Sequence, residues 1–232
     1  MAQIWKVRLP NGNIVTPGDW TTAEPLYSTI EIAPGPFQER IAFSYGRGGT
    51  VPGSVGPRQS TLIDTNLNGQ GNQLPENEEL VIYTIGIELF KVGAANSVAR
   101  FPDADNPHVP LTDMLRLQRD LVIFLKIANV KNYTSFPLSY FPPGTGMLSM
   151  YSGGRSFVSG AAANGEVVAN NGDPSVQGTR ELASPLSVAG GETFGVSFRP
   201  GPGSVLNLNL AAPNARIVAR TYLDGVRRRP VA

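Results

Sequence analysis

Between Leu80 and Val92 the chain reads LVIYTIGIELFKV, and this run constrains the fold more than any other. Val81, Tyr83, Ile85, Ile87 and Leu89 alternate with Leu80, Ile82, Thr84, Gly86, Glu88 and Phe90. A period of two with β-branched and aromatic residues is a strand, and Gly86 argues against a helix. One face is apolar throughout and the other is mixed, so one face belongs in a core and the other is partly covered. The run spans roughly 40 Å, far beyond the usual strand of five or six residues. A strand of that length suits a sandwich or barrel whose elements run its full height.

The same alternation recurs in RDLVIFLKIANV, ETFGVSF, SVLNLNL and ARIVARTYLDG, and earlier in IWKVRL, STIEIA and ERIAFSY. Turn pairs separate these runs: Asn11-Gly12, Pro34-Gly35, Asn171-Gly172, Gly190-Gly191 and Asp224-Gly225. The 26 Gly and 20 Pro are spread along the chain, which fits many turns rather than one tail. Strands without alternating helices predict an all-β antiparallel sandwich. One short helix is expected in LTDMLRLQR, capped by Thr112, with Leu111, Met114, Leu115 and Gln118 on one side. Residues 46–79 and 152–183 are long polar, Gly-rich stretches, expected to be functional or disordered.

Chemistry-bearing patterns are sparse. His108 is the single histidine and sits in a Pro-rich turn with no G-x-S-x-G elbow, so it reads as a solvated loop residue. Asp103 to Asn106 offer oxygens of the kind calcium takes, but without an EF-hand's sixth-position Gly and closing Glu; an Asx-rich turn is the default. With one His and no Cys, zinc and disulfide chemistry are absent, and no cofactor is expected. The Gly-rich GRGG and GPGSV lack the Lys-Ser/Thr pair of a phosphate loop. Glu76, Glu78 and Glu79 read as a solvated strand end. Net charge is +1, so charge does not announce a nucleic-acid or membrane-surface protein. Arg227, Arg228 and Arg229 form the only basic cluster, a candidate phosphate or lipid-headgroup contact or else a solvated tail. Tyr133, Phe136, Tyr140 and Phe141 crowd together as core filling, interface anchors or a ligand platform. The sequon at Asn132 to Thr134 carries little weight, because MAQIWKVRLPNG shows no secretory signal. No run is apolar enough to span a bilayer as a helix.

A Gly/Asn/Gln-rich arm ends in STLIDTNLNGQGNQLPENEE and leads into the long strand. DLVIFLKIANVKNYTSFPLSYFPPGTG, PLSVAGGETFGVSF and RIVARTYLDGVRRRPV follow. In style and strand order, over about residues 60–230, this resembles a jelly-roll coat protein of an icosahedral bacteriophage, of the kind often built around a membrane. The resemblance implies self-assembly through capsomers, no catalysis, and loops or termini that reach across subunits. It implies a virion location after synthesis in the host cytoplasm. The expected partners are further copies, in trimers or higher capsomers, and other virion proteins. The genome or an inner membrane could also meet the C-terminal tail.

Eight strands are then expected at 80–92, 119–130, 135–141, 146–151, 155–159, 192–199, 204–210 and 215–224. Residues 1–77 become an N-terminal arm with extra strands, and 78–232 a jelly-roll barrel with a basic tail. A double roll is the alternative arrangement. Low charge fits an assembling protein: 16% of residues are charged, against roughly 25% in soluble proteins, and interface centres deplete charge. The alternative function is a virion spike or lectin-like sandwich that recognises a receptor or glycan. An enzyme is disfavoured by the scarcity of titratable groups.

Overall fold

The computed structural model describes residues 7–8, 14–15, 20–21, 25–51, 57–92, 109–128, 131–142, 144–145, 148–152, 166–170, 173–174, 181–208 and 216–228. The principal strands are β1 (Leu26–Ile32), β2 (Arg40–Ala42), β3 (Glu79–Val92), β4 (Leu121–Ile127) and β5 (Lys131–Pro137), followed by β6 (Leu148–Ser152), β7 (Glu166–Asn170), β8 (Glu181–Val188), β9 (Phe194–Pro200) and β10 (Arg216–Arg228). Helix α1 covers Val109–Asp120. The chain is an all-β sandwich of two main antiparallel sheets, with four two-stranded pairs beside them and one short α-helix among the described residues.

The pairings nest along the sequence. β1 pairs with β10, β2 with β9, β3 with β8, and β4 with β5, so the outermost strands in sequence pair with each other and the innermost with each other. Two lateral ladders join these hairpin-like pairs into sheets. β10 lies against β3 along their full length, and β9 lies against β4. One sheet therefore runs β1–β10–β3–β8, with β7 and β6 continuing from the far end of β3; the other runs β2–β9–β4–β5. Segment 1–77, expected as an arm with extra strands, supplies β1 and β2 to the sandwich itself.

Of the expected strand at 204–210, Asn207–Leu208 form a strand that pairs with Gly35–Pro36, and 209–210 lie outside the described residues. The strand expected at 135–141 lies earlier, as β5, because Pro137 ends it and Leu138–Tyr140 turn as a 3-10 helix. The strand expected at 155–159 lies outside the described residues.

The core fills the space between the sheets. β4 buries Leu121, Ile123, Leu125 and Ile127 in strict alternation, and Phe194, Val196 and Phe198 of β9 face the same interior. Each fully buried side chain of this size contributes about 1.5–3 kcal/mol.

β3 departs from its sequence reading at one point. Its core residues are Leu80, Ile82, Ile85, Ile87 and Leu89, so the parity switches between Ile82 and Ile85. The cause is a β-bulge: Asp224 pairs with Thr84 and Gly225 with Ile82, which leaves Tyr83 as the extra residue. The face expected to run Val81, Tyr83, Ile85 is therefore split across the bulge. Gly225 sits at the crossing, where an added Cβ would lie 1.8 Å from the Val81 carbonyl oxygen.

α1 starts at Val109, three residues before the expected cap, so Thr112 lies inside its first turn. Pro110 is well placed there, since it has no N–H to leave unpaired. Asp113, Met114 and Leu117 are buried, whereas Leu115, expected on the inner side, is exposed. The buried stripe is set by the packing of α1 against β4, β5, β7 and the Leu138–Tyr140 turn.

The polar segment 57–79 is ordered. Its backbone threads across the strand ends: Asn72 N–H donates to the Phe43 carbonyl at 2.6 Å, and Phe194 N–H to the Asn72 carbonyl at 2.8 Å. Close approach explains the glycine here, because a Cβ on Gly71 would lie 2.0 Å from the Ser44 carbonyl oxygen.

Gly225→Ala should lower stability to urea by about 2 kcal/mol or more, because backbone at the bulge would have to move. Gly201→Ala, whose nearest atom would be 3.4 Å away, should stay within about 1 kcal/mol of the wild type.

Candidate functional site

The basic cluster does not form a free tail. β10 continues through Arg228, so Arg227 and Arg228 are ladder residues opposite Leu80 and Glu79. Past the bulge, the strand's parity turns Arg227 onto the core face, where it is 1% exposed. A buried guanidinium needs a partner. Glu78, just before β3 and 7% exposed, supplies it: Arg227 Nε donates to Oε2 at 2.7 Å, and Nη2 makes an ion-pair contact with the same oxygen. This corrects the headgroup or phosphate reading of Arg227, and the reading of Glu78 as a solvated strand end. Arg228 is exposed, and Arg229 lies outside the described residues.

The aromatic cluster divides. Phe141 is buried in the core, and its carbonyl accepts the Ile87 N–H at 3.0 Å. Phe136 and Tyr140 are displayed at the surface, stacked with centroids 4.4 Å apart and planes 15° from parallel. Phe141 meets both rings edge-on, at 6.3 Å and 5.4 Å. Core filling thus holds for Phe141 and fails for the other two. Tyr133 lies on β5 at a position whose side chain is not among those described. Asp103 to Asn106 and His108 lie outside the described residues. No group of three His, Cys, Asp or Glu that could hold a metal occurs among the described residues.

The largest polar constellation joins segment 58–67 to β1. Asp64 takes Arg58 in a two-pronged ion pair at 2.7 and 2.6 Å, and accepts the Thr61 N–H at 2.8 Å and the Thr61 hydroxyl at 3.1 Å. Arg58 also reaches Glu31 at 3.6 Å. The segment then lies along the outer side of β1. Thr29 N–H donates to the Asp64 carbonyl at 2.8 Å, Tyr27 N–H to Asn66 Oδ1 at 2.9 Å, and Asn66 Nδ2 to the Pro25 carbonyl at 2.8 Å. We call this segment the strap.

Arg220 lies beneath the strap, 5.9 Å from the Tyr27 ring centroid and 5.2 Å from that of Phe90; its Nε donates to the Thr29 hydroxyl at 3.2 Å. The sequence signal was STLIDTN, in which turn-forming Ser, Thr, Asp and Asn flank two aliphatic residues.

Burial works against ionisation of Asp64, yet the Arg58 hydrogen bonds, the Thr61 N–H and the Arg58 charge outweigh it and hold the carboxyl below its ordinary value. Burial, reinforced by the Asp64 carboxylate, pushes the Tyr45 hydroxyl up to about 12.

The outer face of the other sheet carries a smaller closed set. Ser197 donates to Glu39 Oε1 at 2.5 Å, Arg199 Nε donates to the same oxygen at 2.8 Å, and the Arg199 guanidinium lies 5.2 Å from the centroid of the Phe124 ring. The Ser197 hydroxyl, and after it Arg199, hold the Glu39 carboxyl below its ordinary value. Ser197 donates to an anchored carboxylate that an arginine already neutralises, so this is a structural clasp rather than an activated nucleophile.

Arg227→Met should cost about 3–5 kcal/mol in urea denaturation by stranding the Glu78 carboxylate, and the Arg227→Met/Glu78→Leu double variant should regain most of it. A solvated tail residue would shift stability by under about 0.5 kcal/mol.

Strap attachment should depend on acid. The unfolded carboxyl of Asp64 binds a proton more readily than the folded one. Its contribution is therefore complete above about pH 4 and lost as pH falls through the lower folded value. Hydrogen-exchange protection of the Thr29 N–H should fall in that range, and Asp64→Asn should already lack it at neutral pH.

Compared with known proteins, the chain matches no family model, no curated protein and no solved structure.

Proposed function

We propose that the chain is a jelly-roll coat subunit that assembles with further copies of itself into a closed viral shell. The observation that carries this reading is the nested pairing of β1 with β10, β2 with β9, β3 with β8 and β4 with β5. A hairpin of four paired stretches, rolled so that its pairs alternate between two sheets, has the strand order of a jelly roll. Such a roll is a stiff block, because three of its four pairs tie together strands distant in sequence. Stiff blocks suit a wall in which neighbours must meet at fixed angles.

Two further features support the reading. Charged residues are 16% of the chain, consistent with surface that is covered in an assembly. The larger polar clusters on the outer faces are closed on themselves rather than open toward a substrate. Contact with a genome or an inner membrane through the C-terminal residues would have to rest on Arg228 and Arg229, since Arg227 is spent on Glu78.

Light scattering on the purified protein, followed by negative-stain imaging of the same sample, tests the reading. Rings, capsomers or closed shells are expected at modest concentration. A monomer that persists at high concentration and high salt would overturn it and favour a spike or glycan-binding sandwich, which a glycan array would then test.

A further inference from the structure

Of the principal strands at the sheet ends, β2 has three residues and β6 five, and β5 and β8 each contain a proline. β1 alone offers seven residues, LYSTIEI, without one. Its β-branched and aromatic residues and its single charge, Glu31, make a composition that pairs readily with another strand. An edge of that kind is the one most in need of a cover.

The strap supplies the cover by imitating a strand. It meets the outward peptide groups of Pro25, just before β1, and of Tyr27 and Thr29. Asn66 spans the first two with one side-chain amide: Nδ2 donates to the Pro25 carbonyl at 2.8 Å, and Oδ1 accepts the Tyr27 N–H at 2.9 Å. The Thr65 hydroxyl donates to the Tyr27 carbonyl at 2.9 Å, and the Tyr45 hydroxyl, from beside the strap, to the Thr29 carbonyl. The Thr29 N–H meets the Asp64 carbonyl at 2.8 Å. Four of these five groups are thus closed by side chains where a neighbouring strand would offer backbone.

The caps stand on the Asp64 turn, which Arg58 and the Thr61 N–H lock. Leu67, buried in the core, anchors the end of the strap. Losing the caps therefore frees the segment before Leu67 and leaves the two sheets in place.

We propose that the strap is an autoinhibitory guard on β1: seated, it keeps this edge from pairing with a second copy, and a chain whose strap is displaced pairs β1 to β1 across a two-fold axis. The second copy fits because the edge is its own complement. Centred on Thr29, antiparallel pairing sets Thr29 against its own equivalent and Tyr27 against the equivalent of Glu31, so no like charges face each other. This goes beyond the coat-subunit reading and stands whether or not that reading does.

The test uses the full chain as Asp64→Asn and as Asp64→Asn/Asn66→Ala, the first serving alone if the second does not fold, with thermal midpoints compared with wild type. Sedimentation velocity reads association, and hydrogen exchange reads the Thr29 N–H at low and high protein concentration. The released variants should self-associate roughly tenfold more tightly than wild type or better. Their Thr29 N–H should exchange freely when dilute and regain protection when concentrated. Adding Thr29→Pro, which removes that outward N–H without touching the ladder to β10, should abolish the gain. If the released variants associate as wild type does, the guard has nothing to guard and the inference fails. If the gain survives Thr29→Pro, the copies meet elsewhere and it fails. If the Thr29 N–H stays protected in the variants at every dilution, these contacts do not hold the strap, and it fails likewise.

Discussion

The ladder between Glu79–Val92 and Arg216–Arg228 joins the middle of the chain to its end, and the rest of the sandwich is placed by it. β1 and β8 add to its two flanks, so the longest strands lie inside the sheet. A slip of one residue in this pairing would turn every core side chain outward. Two features hold the register. The bulge at Tyr83 accepts only one alignment of Gly225 with the Val81 carbonyl, and the buried Arg227–Glu78 pair tolerates no other depth. Pairing over so long a separation is entropically slow to form, so the sheet is expected to assemble late and cooperatively.

Polar groups in this protein act mostly as fasteners. A buried ion pair is weak evidence of net stability, because desolvation offsets attraction, but breaking one is costly. Arg227–Glu78 therefore specifies the end of β10 more than it stabilises it. Arg58–Asp64 does the same for the strap, with the Asp64 turn fixing where the chain crosses β1. Together they let a chain low in charge hold long polar segments in one arrangement.

The fold class was legible because period-two alternation reports sheet faces directly, and the burial of β4 follows it without exception. The bulge was not legible. Leu80, Val81, Ile82 and Tyr83 are all apolar or aromatic, so either parity satisfies the pattern until the partner strand is known. Arg227 misled for a related reason. Three consecutive arginines near a terminus read as solvated, and only the ladder to β3 shows that one of them is inside. β1 and β2 were hard to assign to the sandwich because their partners, β10 and β9, lie more than 150 residues away. In the aromatic cluster, proximity in sequence was visible, but the division into one buried and two displayed rings depends on where Pro137 ends β5.

The sheet edges suggest why side chains, rather than open backbone, would specify contacts. An exposed strand edge pairs with almost any extended chain, and proteins blunt such edges. Here β2 is only three residues long, β5 ends in a proline, and β1 has the strap hydrogen-bonded along its outer side. Little backbone is left to template promiscuous pairing at these three edges. Blunted edges would serve a coat subunit of the kind proposed, since backbone pairing fixes strand direction but not the rotation that closes a ring.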